Sequence, residues 1–223
     1  PKEKIIEYML ADDTADKLVD MTITGFADET AAESMAPGGG SISAYVGTLG
    51  VALGTMVANL SGHKAGWDDR WEFYSKWAEK GQAYKEKLLF LVDEDTNSFN
   101  KIMDAFRLPK DTPEEVEARK AAIEAATKYA TEIPYQVMET ARNSMEVMQA
   151  MLKEGLQTSL SDSAVGILCA KTAVLGAYFN VRINAKDIKD RSWAVDILNK
   201  AEAIYQQALE IEQQTIALVN EKM

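Results

Sequence analysis

Cysteine and histidine are each used once in the 223 residues, at Cys169 and His63. One cysteine cannot close a disulfide within the chain, which points to a reducing compartment and a cytoplasmic protein. One of each cannot assemble a structural zinc site, so no metal is expected, and most Cys–His and Ser–His–Asp chemistry is excluded too. Basic charge is also short: 24 Lys and Arg against 35 Asp and Glu leave a net charge of -11. A nucleic-acid partner needs a basic face, so that class is set aside. The opening Pro1-Lys2-Glu3-Lys4 lacks the apolar core and small-residue cleavage site of a signal peptide. Strand alternation, internal repeats, low-complexity linkers and shifts of composition are all missing. The expectation is one all-α domain over residues 1–223, a helical bundle.

What is present is helical periodicity almost throughout. Short helices are expected at Ile5–Leu10 and over Ala15–Ser34, the latter broken near Thr24-Gly25. An apolar helix follows over 42–61, then a loop with Gly62 and Gly66, then a long amphipathic helix from about Trp67 to Phe106. Pro109 ends that helix. Thr112-Pro113-Glu114-Glu115 carries a cap, a first-turn proline and a capping-box glutamate, and so starts the next. Pro134 is expected to end this helix near Thr131 and to start another that stops near Gly155. Ser159 to Asp162 offers caps for a helix through Val181, and Ala194 to Glu221 forms the last.

The junction Pro37-Gly38-Gly39-Gly40-Ser41 opens a segment that carries no charge as far as Gly62. Bare backbone N–H groups at a helix start can hold an anion, and glycine lets a ligand approach closely. The competing reading is a plain turn. The junction lacks the Lys-Ser/Thr of a P-loop, and no strand precedes it as a dinucleotide site requires. Gly47, Gly50, Gly54 and Ala58 leave one edge of the helix nearly bare, so another element should pack very close. The segment is long enough to span a membrane. Its hydroxyls and small residues, in place of Leu and Phe, favour a buried helix in a bundle without a membrane.

Two helical stripes carry polar residues where apolar ones belong. Trp77, Tyr84, Leu88, Leu91, Val92, Phe99, Ile102 and Phe106 share one face of the long helix, and Asp95 lies near its middle. Asp93 and Asn97 point away. A carboxylate on an apolar stripe is expensive unless partnered, and desolvation should raise its pKa toward the range useful in proton transfer. The alternative is a cap or an arginine partner. On the helix 162–181, Asp162, Gly166, Cys169, Ala173, Gly176 and Asn180 share a face that Asn184 would continue. That face is either tight packing against the 42–58 helix or a narrow cleft for a flat heterocycle. Cys169 and the tryptophans Trp67, Trp71 and Trp77 read as packing. Arg119-Lys120 and the group Arg182, Lys186, Lys189, Arg191 read as solvated faces and as the best seats for ligand carboxylates.

These segments resemble the formiminotransferase-cyclodeaminase C-terminal family, which covers cyclodeaminases and methenyltetrahydrofolate cyclohydrolases. The likeness rests on Ala36–Ala44, Met56–Leu60, Leu91–Phe99, Arg107–Lys110, Ser161-Asp162 and Gly176–Asn184, and it spans nearly the whole chain. It implies an all-helical fold, a homodimer or larger assembly, and tetrahydrofolate as the carrier of the one-carbon unit. A formiminotransferase domain, fused or separate, is implied as a partner, as in histidine breakdown. Trp67–Trp71 and Ile5–Leu10 resemble bacterial bifunctional members, and the start without methionine resembles an excised C-terminal domain. Gly155-Leu-Gln-Thr-Ser159 departs from the asparagine-rich turn usual in relatives.

The resemblance places the catalytic aspartate at Asp95 and implies ring closure of 5-formimino-tetrahydrofolate to 5,10-methenyl-tetrahydrofolate with release of ammonia. The alternatives are a cyclohydrolase that interconverts methenyl- and formyl-tetrahydrofolate, or a folate-binding module without activity. Asp95 would act as general acid and base. The backbone of Gly38, Gly39 and Gly40 with Ser41 would hold part of the folate, its glutamate tail (extended or not) at the positive helix end. Asn59 joins the substrate-binding set, and Asp162, Asn180 and Asn184 would hold the ring system.

Overall fold

The structure, a computed structural model, describes residues 17–223, and the expected helix Ile5–Leu10 lies outside them. Six α-helices build the described part: α1 Ile23–Ala31, α2 Gly39–Gly62, α3 Trp71–Arg107, α4 Pro113–Glu154, α5 Leu160–Asn184 and α6 Arg191–Lys222. Short 3₁₀ turns at Leu18–Asp20, Asp68–Arg70 and Gln157–Ser159 precede α1, α3 and α5. No strand occurs among the described residues, so the all-α expectation stands.

Helix α2 is the centre of the bundle, packed against α3, α5 and α4. Its glycine edge is what allows this. A Cβ on Gly50 would fall 2.6 Å from the carbonyl oxygen of Gly166, and a Cβ on Gly166 would fall 2.7 Å from that of Gly50. The two backbones therefore touch without side chains between them. Gly47 faces Ala173 and Gly50 faces Cys169, so α2 and α5 run antiparallel. Four of the five buried hydroxyls of α2 are satisfied within the helix, Ser41 being the exception. Ser43, Thr48, Thr55 and Ser61 donate to the carbonyls of Gly39, Ala44, Val51 and Val57 at 2.6–3.0 Å. That back-bonding makes a hydroxyl-bearing helix compatible with a dry core. Both α2 and the segment Gln157–Asn184 are long and apolar enough to cross a membrane; here each packs against the other.

The start of α4 is as expected. Thr112 and Glu115 form a complete capping box, with Pro113 in the first turn. Its continuation is not as expected, because α4 runs unbroken through Pro134 to Glu154. Proline in a helix interior removes the N–H that would serve the carbonyl four residues back, here Ala130. In this fold the Nδ2 of Asn184 donates to that oxygen at 2.7 Å. A tertiary donor replaces the missing local one, so the helix need not end.

Three smaller expectations are corrected. The interruption before α1 falls at Met21-Thr22, where the Thr22 hydroxyl caps the helix through the Gly25 N–H, so Gly25 is inside it. Gly62 closes α2, and Gly66 alone in the loop takes positive φ. Ser159 makes no side-chain cap for α5. Asp190, by contrast, caps α6 by accepting from the Trp193 N–H at 3.1 Å.

Candidate active site

Three consecutive acids on α3 point three ways, as about 100° of rotation per residue requires. Asp93 accepts from the Leu18 N–H at 2.8 Å and pins the first 3₁₀ turn; burial raises its pKa, and the Leu18 and Val19 N–H groups oppose the rise. Glu94 takes hydrogen bonds from Tyr129 and Lys101. Asp95 turns inward to the start of α2. Its Oδ2 accepts from the Ser41 hydroxyl at 3.0 Å, and the Ser41 backbone N–H also bonds the carboxyl.

This contact explains the third glycine of the junction, Gly40. A Cβ on Gly40 would lie no farther than 2.6 Å from any atom of the Asp95 carboxyl group. The group that the start of α2 receives at Gly40 and Ser41 is therefore the protein's own aspartate, while Gly38 and Gly39 border the cavity beside it. Burial pushes the Asp95 pKa up from the usual carboxylate range, while the Ser41 hydroxyl and N–H hold it back. No cation pairs with Asp95 among the described residues. A carboxyl so placed holds a proton more readily than a solvated one.

Asp95 lines a cavity of about 170 Å³, together with Gly38, Gly39, Gly40, Asn180 and Asn184. Phe99 and Ile102, from the stripe read in the sequence, form its apolar side. Each asparagine commits one N–H to a carbonyl, Asn180 to Gly176 at 2.9 Å and Asn184 to Ala130 at 2.7 Å. Because a carbonyl can only accept, the amide orientations are fixed, and each residue keeps its oxygen and a second N–H uncommitted. Gly39 lies against Asn180; a Cβ there would come 3.4 Å from Nδ2.

Two of the expected residues are elsewhere. Asp162 sits at the first turn of α5, eighteen positions from Asn180, roughly 27 Å along a helix at about 1.5 Å per residue. Asn59 is near the last turn of α2, where its carbonyl accepts from His63. With α2 and α5 antiparallel, both residues lie at the far end of the pair, and neither lines the Asp95 cavity. The shared stripe on α5 was read correctly as a face, but a face this long cannot be one site.

Thr96 was missed. It lines the cavity beside Asp95, and its Oγ1 is buried without a hydrogen-bond partner. A helical threonine ordinarily returns its hydroxyl to the preceding turn, and nothing in the sequence says that this one does not. Ala130 was missed as well, although Pro134 four residues later marks its carbonyl as open. No group of three or more His, Cys, Asp or Glu is arranged to hold a metal among the described residues. Cys169 is partly buried against Gly50, and burial raises its pKa, in keeping with a packing role.

Comparison with known proteins identifies the family and the fold. The family model described as formiminotransferase-cyclodeaminase matches residues 22–203. A formimidoyltransferase-cyclodeaminase of Mus musculus is 34% identical over 209 residues, which are 93% of this chain and 39% of that protein. The chain thus spans about two-fifths of the length of such relatives. A methenyltetrahydrofolate cyclohydrolase of Methylorubrum extorquens is 31% identical over 202 residues, 91% of this chain and 97% of that protein. In fold, the chain is similar to the crystal structure of a formiminotetrahydrofolate cyclodeaminase from Thermotoga maritima, with a TM-score of 0.81 at 23% identity, covering 92% of this chain and 98% of that one. The chain belongs to the formiminotransferase-cyclodeaminase family.

Proposed function

We propose that this family member closes 5-formimino-tetrahydrofolate to 5,10-methenyl-tetrahydrofolate and releases ammonia, with Asp95 as the proton carrier. The carrying observation is the desolvated Asp95 carboxyl, held by Ser41 against Gly40 and facing a cavity with two oriented asparagine amides. In the reaction, N10 attacks the carbon of the protonated amidine and the N10–C bond forms. The N10 proton passes to the Asp95 carboxylate and from there to the departing nitrogen. The C–N bond then breaks, ammonia leaves, and the methenyl cation remains, so protons and charge balance. A single carboxyl serves both transfers because the two nitrogens share one carbon, and both reacting atoms belong to one molecule.

The second reading is a cyclohydrolase, favoured by the match along nearly all of a relative of that name. There the same carboxyl would activate water toward the methenyl carbon. Offering formimino- and methenyl-tetrahydrofolate in parallel, with ammonia measured directly, separates the two. Ammonia with growing methenyl absorbance supports the deaminase. Loss of methenyl absorbance without ammonia supports the hydrolase. Folate binding with neither would leave only a binding module.

The assembly is read as a homodimer. Leu49, Met56 and Leu60 share an exposed apolar stripe on α2, and Val165 and Leu168 are exposed on the part of α5 that packs near Gly50. Contiguous apolar surface of this kind is ordinarily covered by a partner. Light scattering that gives the monomer mass at micromolar concentration would remove this reading.

A further inference from the structure

The cavity that holds Asp95 has a neighbour on the other side of Asn184. A second cavity of about 320 Å³ shares Ile102 and Asn184 with it and runs between α3, α4 and the end of α5. Its composition changes with position. Phe106, Ile123 and Ile183 give it apolar walls, and Lys120 and Lys189 stand on it from two different elements. The two lysines belong to the two basic groups that are far apart in sequence, and the fold brings them to one groove.

The acids of the groove make no direct ion pair with Lys189, although its charge acts on Glu124 and Glu117. The Glu124 carboxylate is taken up by the backbone N–H groups of Lys189 and Asp190 at 3.0–3.1 Å, which lower its pKa. That bond also anchors the turn carrying Lys189. Lys120 pairs at 2.8 Å with Glu117, three positions away on an exposed helix face, a contact that exchanges readily with another anion. Lys189 has no ion pair among the described residues. Asp187 is the remaining acid on the groove.

We propose that this groove is the subsite for the aryl-glutamate end of a reduced folate, with the aryl ring between Phe106, Ile123 and Ile183 and the glutamate carboxylates at Lys120 and Lys189. The proposal rests on the reading of the ligand as a folate. It follows from order. A polar heterocycle, an aryl ring and an anionic tail succeed one another along a folate. A polar cavity with Asp95 and two amides, an apolar passage and two ammonium groups succeed one another along the protein. At the start of α2, Gly40 and Ser41 already receive the Asp95 carboxyl.

Calorimetry with three probes tests it: 5-formyl-tetrahydrofolate, its triglutamate, and the matching tetrahydropteroate that lacks glutamate. Wild-type protein should bind both glutamylated probes more tightly than the pteroate, by a margin that shrinks as salt is added. Lys120→Gln/Lys189→Gln should weaken both glutamylated probes by about fivefold and leave the pteroate unchanged. Both side chains are exposed, so the variant should fold, which its melting curve checks. Equal binding of all three probes to wild type, or equal weakening of all three in the variant, would overturn the assignment and leave the folate reading intact. Failure of wild type to bind any probe would overturn both.

Discussion

The Asp95 carboxyl occupies the space that a side chain at residue 40 would need. Helix α2 can begin where it does, and Asp95 can reach the Ser41 N–H and hydroxyl, only because Gly40 presents bare backbone. Gly40→Ala should therefore displace the carboxyl while leaving the helices intact. The expected result is a loss of turnover of about a hundredfold or more, with an unchanged far-ultraviolet spectrum. Gly38→Ala, whose Cβ meets nothing within 4 Å, should leave the carboxyl in place although Gly38 borders the same cavity. Full activity in Gly40→Ala would show that the carboxyl has no fixed place.

Asn184 and Pro134 make a coupled pair through the Ala130 carbonyl. Asn184→Ala leaves that oxygen without a donor and should cost about 1–3 kcal/mol of stability. Pro134→Ala restores a backbone N–H, so the double variant should regain most of the lost stability. It should not regain folate affinity, because the Asn184 amide that lines the cavity is still missing. Additive losses in a double-mutant cycle would refute the coupling.

The raised pKa of Asp95 has a definite effect on stability. Its folded pKa lies above the unfolded value of about 3.9, so the folded state binds the proton more tightly. The stabilisation is complete below the unfolded pKa and is lost as pH rises through the folded one. Denaturant unfolding of wild type and Asp95→Asn from about pH 4 to pH 8 should show wild type losing ground to the variant as pH increases. Asp93, also raised by burial, is present in both proteins and cancels. A gap that stays constant, or that favours wild type more at high pH, would contradict the assignment.

The contact of Gly50 with Gly166 leaves no room for a methyl group. Gly50→Ala should destabilise by about 1–3 kcal/mol through overpacking and lower the melting temperature by several degrees. A melting temperature at or above that of wild type would mean that α2 and α5 have space to spare.

Much of this site could be read from residue pattern. Asp95 stood out because a carboxylate on an apolar stripe is chemically anomalous, and the glycine junction because so much bare backbone at a helix start is rare. Local reasoning failed where a distant residue supplied the missing group. Pro134 should end a helix, and does not, since Asn184 provides the donor. The residue pattern offers a ligand anion as the partner of the glycine junction; it does not show that Gly40 seats Asp95, which lies 55 positions later. Asp162 and Asn180 share a helix face, but face periodicity carries no information about which stretch of a long helix borders a cavity. Thr96 gave no signal at all, because its open hydroxyl is a fact of three-dimensional packing.

The most direct test of proton transfer by Asp95 is the turnover of Asp95→Asn with formimino-tetrahydrofolate, followed by ammonia release and methenyl absorbance together. Asparagine can still accept from Ser41, so the fold and the folate affinity should persist. Turnover should fall by about two orders of magnitude or more. Near-normal turnover in a folded variant that still binds folate would contradict the account.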